Sequence, residues 1–281
     1  MDFITQLLVD PLQYTFMQRG VLAVVLVGAI SGVVGCYVVV RGMAFFGDAL
    51  AHSILPGVAV VYIGGGEIFI GGLVAGVVAA LGIGWLTRER RIGEDTAIGI
   101  VFAGMFALGI AIISTARSYS MDLAHILFGD VLGVNETDLQ LMLVLGVIVL
   151  GVVVLFYKEF LILSFDPDLA RTLKLPGEAL RLLLLVLIAI TIVASLQTVG
   201  VALMVAMLVT PAATAQLLVN RLHHMMLVAA VLGALGGVVG LYASFHLSVE
   251  FRVDVASGAA IVLVETAIFA LVFVLARFRK R

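Results

Sequence analysis

Charge is what this chain has least of. Only 12% of its 281 residues are Asp, Glu, Lys or Arg, against about 25% in an ordinary soluble domain. Their balance, −2, carries no basic excess, which excludes the electrostatic footprint of a nucleic-acid binder. Cysteine is nearly missing as well. The single Cys36 can form no intrachain disulfide, and inside its apolar run it reads as a small hydrophobe. The only lysines are Lys158, Lys174 and Lys280, and none follows a Gly-x-x-x-x-Gly pattern. No standard phosphate loop exists, so ATP-driven work needs another subunit. His-Glu-x-x-His, the zinc-hydrolase helix, is also absent. The start, MDFITQLLVDPLQYTFMQRG, lacks the basic stretch and short apolar core of a cleavable signal, so the first spanning helix is expected to direct insertion. No low-complexity linker interrupts the chain, which reads as one membrane domain over residues 1–281.

What is present is apolar length. Hydrophobic residues make up 63% of the chain, more than a soluble fold of this size can hide, whereas lipid can cover them. Apolar runs predict spanning helices over Val21–Val40, Ala44–Ile63, Ile68–Leu86, Thr96–Thr115, Leu139–Tyr157, Leu180–Leu196, Val199–Leu218, Met225–Phe245 and Val255–Arg277. At about 1.5 Å per residue each can cross a hydrocarbon layer of about 30 Å. The expected fold is all-α, a polytopic helical bundle of about nine spans. Eight is the alternative, if Leu180–Leu218 holds one span and a re-entrant piece in place of two spans turning at Gln197-Thr198. Nine spans divide the 16 Lys and Arg residues 13 to 3 between the two sides, with Arg19, Arg117 and Arg252 on the poorer side. Positive charge stays cytoplasmic, so the C-terminus is expected inside and the N-terminus outside. Gly28-x-x-x-Gly32, Gly72-x-x-x-Gly76 and Gly236-x-x-x-Gly240 predict close helix crossings rather than subunit contacts.

Two places carry chemistry. In the second span, Asp48 and His52 stand four apart and share a helix face. Ionisable groups inside a membrane segment are costly and mark functional sites. Pro56, four residues on, removes the hydrogen bond that the His52 carbonyl would accept, so the pair adjoins a helix break at Pro56-Gly57. One carboxylate and one imidazole, doubled by a facing second copy, would suit zinc, manganese or iron. The competing reading is an internal Asp–His hydrogen bond that only fixes packing. The second place is Asp166-Pro-Asp-Leu-Ala-Arg-Thr-Leu-Lys-Leu-Pro176. Asp166 suits an N-cap, Pro167 the first helical position and Asp168 the positive helix end, and Pro176 is expected to stop the helix. A short helix with Leu169, Arg171, Leu173 and Lys174 can dock into a partner's groove or rest on the membrane surface. His223 and His224 read as boundary residues, and His125 and His246 as outer-face histidines. Glu265, inside the last span, has no partner that the sequence identifies.

Phe46-Gly-Asp48-Ala-Leu-Ala-His52-Ser-Ile-Leu-Pro56-Gly57 resembles the signature of the bacterial zinc/manganese-type ABC importer permeases. Leu127-Phe-Gly-Asp130-Val-Leu-Gly133, the segment Asp166–Pro176, the run Val199–Ala215 around Pro211, and Asp254-Val-Ala-Ser-Gly258 resemble further family segments. Order and spacing agree over nearly the whole chain. The resemblance implies a type II ABC importer-like permease that dimerises and holds no permanent cofactor. Cytoplasmic ATP-binding subunits would dock at residues 166–176, and an extracytoplasmic protein would deliver the metal. It implies that Asp48 and His52 line the metal path, in a bacterial plasma membrane. Family members often have eight spans, and Ser248–Val253 is longer and more charged than usual. A proton-coupled carrier would need no docking helix. A permease for a siderophore- or cobalamin-type chelate would need a wider path than an Asp–His pair.

Overall fold

A computed structural model describes residues 10–88, 92–115, 131–250 and 255–279. Among them nine helices are long and apolar enough to cross a bilayer. The first is α1 (Thr15–Val40). The second span is broken into α2 (Phe46–Ser53) and α3 (Leu55–Ile63). Then come α4 (Ile68–Leu86), α5 (Glu94–Ser114) and α6 (Glu136–Leu155). Two short helices follow, α7 (Tyr157–Phe165) and α8 (Pro167–Thr172). The last four spans are α9 (Gly177–Val199), α10 (Val201–Leu218), α11 (Leu222–Glu250) and α12 (Ser257–Arg279). The protein is a polytopic membrane helical bundle, and exposed Trp85, Val154 and Leu263 show its apolar outer surface.

The Leu180–Leu218 stretch is two helices. They part at Gly200, whose φ of 80° lies in the left-handed region that a side chain disfavours. The turn therefore falls three residues beyond the expected Gln197. Between the spans expected at Leu139–Tyr157 and Leu180–Leu196, where only the short helix near 166–176 is expected, the chain is also helical over α7, because Phe160 is fully buried and sets its ring edge-on to Tyr37 at 5.8 Å. Helix α11 also runs further than expected, so Ser248 is helical, while the charged residues 251–254 lie outside the described ones.

The described residues fall into two compact units. The first draws on residues 1–36, 123–146 and 195–281. One of its crossings is α1 on α11. A Cβ on Gly28 would meet the Gly233 carbonyl carbon at 2.5 Å, and one on Gly32 would meet the Ala229 carbonyl oxygen at 2.7 Å. Gly240 meets the backbone of α12 at Ile261 in the same way. These glycines are helix crossings, as the spacing predicts. The Gly28→Val variant should lose roughly 1–3 kcal/mol of stability through overpacking. Gly151 faces open space, so Gly151→Ala should leave the midpoint unchanged or slightly raised in the same detergent melt.

The second unit comprises residues 37–122 and 147–194. Here α3 and α4 cross backbone to backbone, Gly57 against Gly71, and α5 packs its Gly109 on the Leu55 side chain. Gly76 admits Val193 of α9. Gly57 is thus a packing contact, and the break itself falls at Ile54, one residue before α3, with Pro56 in the first turn of α3.

Candidate metal centre

The broken second span places Asp48 in the first turn of α2 and His52 in its last. The two side chains are 41% and 27% exposed, so both reach open space although six of the eight residues of α2 are buried. His52 Nδ1 lies 2.9 Å from the Asp48 backbone carbonyl and 3.8 Å from the Asp48 carboxylate. A carbonyl only accepts, so in the neutral ring Nδ1 carries the hydrogen and Nε2 keeps its lone pair. No described residue bonds to Nε2. The internal Asp–His bond of the competing reading is thus present, made to the Asp48 backbone, while the Asp48 carboxylate and Nε2 have no hydrogen-bond partner among the described residues.

The ring is held by more than one bond. Phe102 and Phe106 of α5 stand edge-on to it, each with its centroid 5.9 Å away. They stack on each other at 5.8 Å. A second group that fixes ring orientation is the usual companion of a ligating histidine. The sequence reading missed both phenylalanines, because an aromatic in an apolar span gives no signal beyond hydrophobicity.

One chain supplies only two donors here. Among the described residues no group of three or more His, Cys, Asp or Glu side chains comes together. The other candidates that the structure describes belong to the first unit. His223 and His224 are exposed at the start of α11, with ring centroids 4.1 Å apart. His246 is half-buried near the far end of that helix, beside Phe245. Glu265 is fully buried in α12, alongside Gly236, and neither oxygen has a hydrogen-bond partner among the described residues. His125, Asp130 and Asp254 lie outside the described residues.

The segment 166–176 forms as the sequence predicts at its start. The Asp166 carboxylate accepts from the Leu169 N–H at 2.9 Å, and Pro167 opens α8. Its end differs. Leu175 N–H donates to the Ala170 carbonyl at 3.0 Å and Lys174 N–H to Arg171, also at 3.0 Å. Lys174 takes a φ of 55°. This is a Schellman closure with lysine in the left-handed position, so the helix ends at Thr172, four residues before Pro176. Ala170 is buried, while Leu169, Leu173 and Arg171 face outward. An ion cluster lies in the same unit. Arg41 pairs with Glu94 at 2.9 Å, and Arg181 reaches the same carboxylate oxygen at 3.6 Å.

Residues 13–276 match the ABC 3 transport family. A manganese transport system membrane protein, MntC, of Halalkalibacterium halodurans is 47% identical over 93% of this chain and 88% of its own length. A probable iron transport system membrane protein of Haemophilus influenzae is 38% identical over 98% of each chain. The solved structure of PsaBC from Streptococcus pneumoniae in complex with Fab superposes with a TM-score of 0.81 at 39% identity. It covers 96% of this chain and 95% of that one.

Proposed function

Because the chain belongs to the ABC 3 transport family, we propose that it is the membrane-spanning permease subunit of an ATP-driven importer of divalent transition-metal ions. The observation that carries this reading is the His52 ring. Its Nδ1 is committed to a carbonyl, its Nε2 is open, and the exposed Asp48 carboxylate lies one helical turn away. Relatives named for manganese and for iron support the same cargo class, and the 47% identity favours manganese.

Two donors do not hold an ion, so a second copy of the chain would complete the site with another Asp48 and His52. Two nitrogens and two monodentate oxygens make a tetrahedral set that suits zinc. Bidentate carboxylates raise the count toward six, which suits manganese. ATP hydrolysis falls to cytoplasmic subunits docked on the outward face of α8, through Leu169, Arg171 and Leu173, with Asp166, Pro167, Asp168 and Lys174 shaping the knob. An extracytoplasmic protein delivers the ion, and the C-terminus lies in the cytoplasm, in keeping with the distribution of Arg and Lys.

Metal binding tests the reading directly. Manganese and zinc should bind the solubilised permease dimer roughly tenfold more weakly, or worse, in His52→Ala than in the wild type. Calorimetric titration measures both affinities, and wild-type affinity in the variant would remove His52 from the ligand set.

A further inference from the structure

A cavity of about 700 Å³ opens in the second unit, away from the Asp48–His52 site. Among the described residues it is bordered by Arg41, Arg88, Arg171 and Arg181 against two carboxylates, Glu94 and Glu178. The lining therefore carries a net charge of +2.

Its floor is short of acceptors. Arg41 and Arg181 are nine-tenths buried and share the single Glu94 carboxylate. Arg181 further donates to the Thr87 hydroxyl, the Gly84 carbonyl and Glu178. Even so, Arg41 Nη1 and Arg181 Nε have no hydrogen-bond partner among the described residues. Glu94 and Glu178 together balance Arg41 and Arg181, so the positive field of the lining comes from Arg88 and Arg171 at its rim. Gly93 and Gly177 border the cavity too, where α5 and α9 begin. The positive ends of two long helices add to that field. At the rim, Arg88 has no ion pair among the described residues, and exposed Arg171 pairs only with Asp168 of its own helix.

The position selects the kind of anion. Arg88 follows the last turn of α4, and Trp85, one turn earlier, is 69% exposed. An exposed tryptophan at the end of a spanning helix marks the headgroup level. Leu163 and Leu175 give the cavity an apolar wall beside its arginines. Basic pockets between spanning helices at the cytoplasmic surface hold lipid phosphates, and a guanidinium pairs with a phosphate through two parallel hydrogen bonds. We propose that this cavity is a phosphate-binding site, filled by the headgroup of an anionic phospholipid from the cytoplasmic leaflet. The leaflet rests on the orientation read above from basic residues. Phosphate binding in detergent depends neither on that orientation nor on metal transport.

The full-length permease, alone and assembled with its ATP-binding subunits, is equilibrated in detergent with phosphatidylglycerol, phosphatidylcholine, or inorganic phosphate. Bound lipid is counted by native mass spectrometry, and phosphate by calorimetry. Phosphatidylglycerol should be retained over phosphatidylcholine, and Arg88→Gln, a change at an exposed rim residue, should weaken it about fivefold. Glu94→Gln, which removes the competing carboxylate, should tighten it, provided the melt shows a folded protein. Inorganic phosphate that binds and displaces phosphatidylglycerol would uphold the phosphate site and assign it a soluble occupant. Equal retention of both lipids without phosphate binding overturns the proposal, as does an Arg88→Gln variant that binds like wild type. Loss of bound phosphatidylglycerol on assembly, with full retention by the free permease, would show that a partner's side chains fill the cavity in the working complex, and overturns it as well.

Discussion

Cells that express the permease with Asp48→Ala or His52→Ala should take up manganese no faster than cells without it, while the variants still insert and assemble. Each substitution removes one of two donors per chain, so a site made from two copies loses half its ligands at once. The effect should exceed the roughly 10–100-fold that the loss of an outer-shell partner of a metal ligand costs. Folding should survive, because both side chains are partly exposed and neither carries a long-range contact other than the His52 ring against Phe102 and Phe106. Radiotracer uptake in cells, alongside membrane-fraction abundance, separates the two effects. Uptake at the wild-type rate in the double variant would exclude this pair from the metal path.

Leu169→Glu combined with Leu173→Glu should abolish assembly with the ATP-binding subunits and leave the permease itself intact. Both leucines are about half exposed on α8, and buried Ala170 anchors the helix from the other side. A carboxylate pressed unpaired into an interface costs roughly 3 kcal/mol. Two of them should therefore weaken docking on the order of a thousandfold or more. A pull-down of tagged permease with its ATP-binding subunit reads this directly. Undiminished recovery of the complex would move the docking site elsewhere. The two experiments are independent: the first spares assembly and removes transport, and the second removes both.

Much of this architecture was legible from side-chain hydrophobicity. A helix that crosses lipid must satisfy its backbone internally over about 20 residues. Each of the nine apolar runs therefore announced its helix, and their ends came within a few residues of the observed ones, with α1 and α11 the longest departures. The Gly28 and Gly32 crossing was equally visible, since only close backbone approach gives glycine pairs four apart a purpose in a span. The α8 cap was visible because Asp and Pro act there on their own local backbone.

Other features had no local signal. Helix α7 was not expected because its defining event is the burial of Phe160 on Tyr37, 123 positions away. Lys174 closes α8 through a backbone conformation that lysine does not advertise.

The sequence alone determined that this protein lives in a bilayer, that Asp48 and His52 share a helix face beside a break, and that the chain carries no standard phosphate loop. These are properties of composition, spacing and local backbone chemistry. The structure decided which nitrogen of His52 is open, through a 2.9 Å bond within α2 to the Asp48 carbonyl that residue identity does not fix. It alone set Phe102 and Phe106 around the ring, and it alone drew Arg41 and Arg181 onto one carboxylate at Glu94. Contacts between residues 50 to 87 positions apart arise from how helices pack, and packing is decided by the shapes of whole faces that no single run of sequence contains.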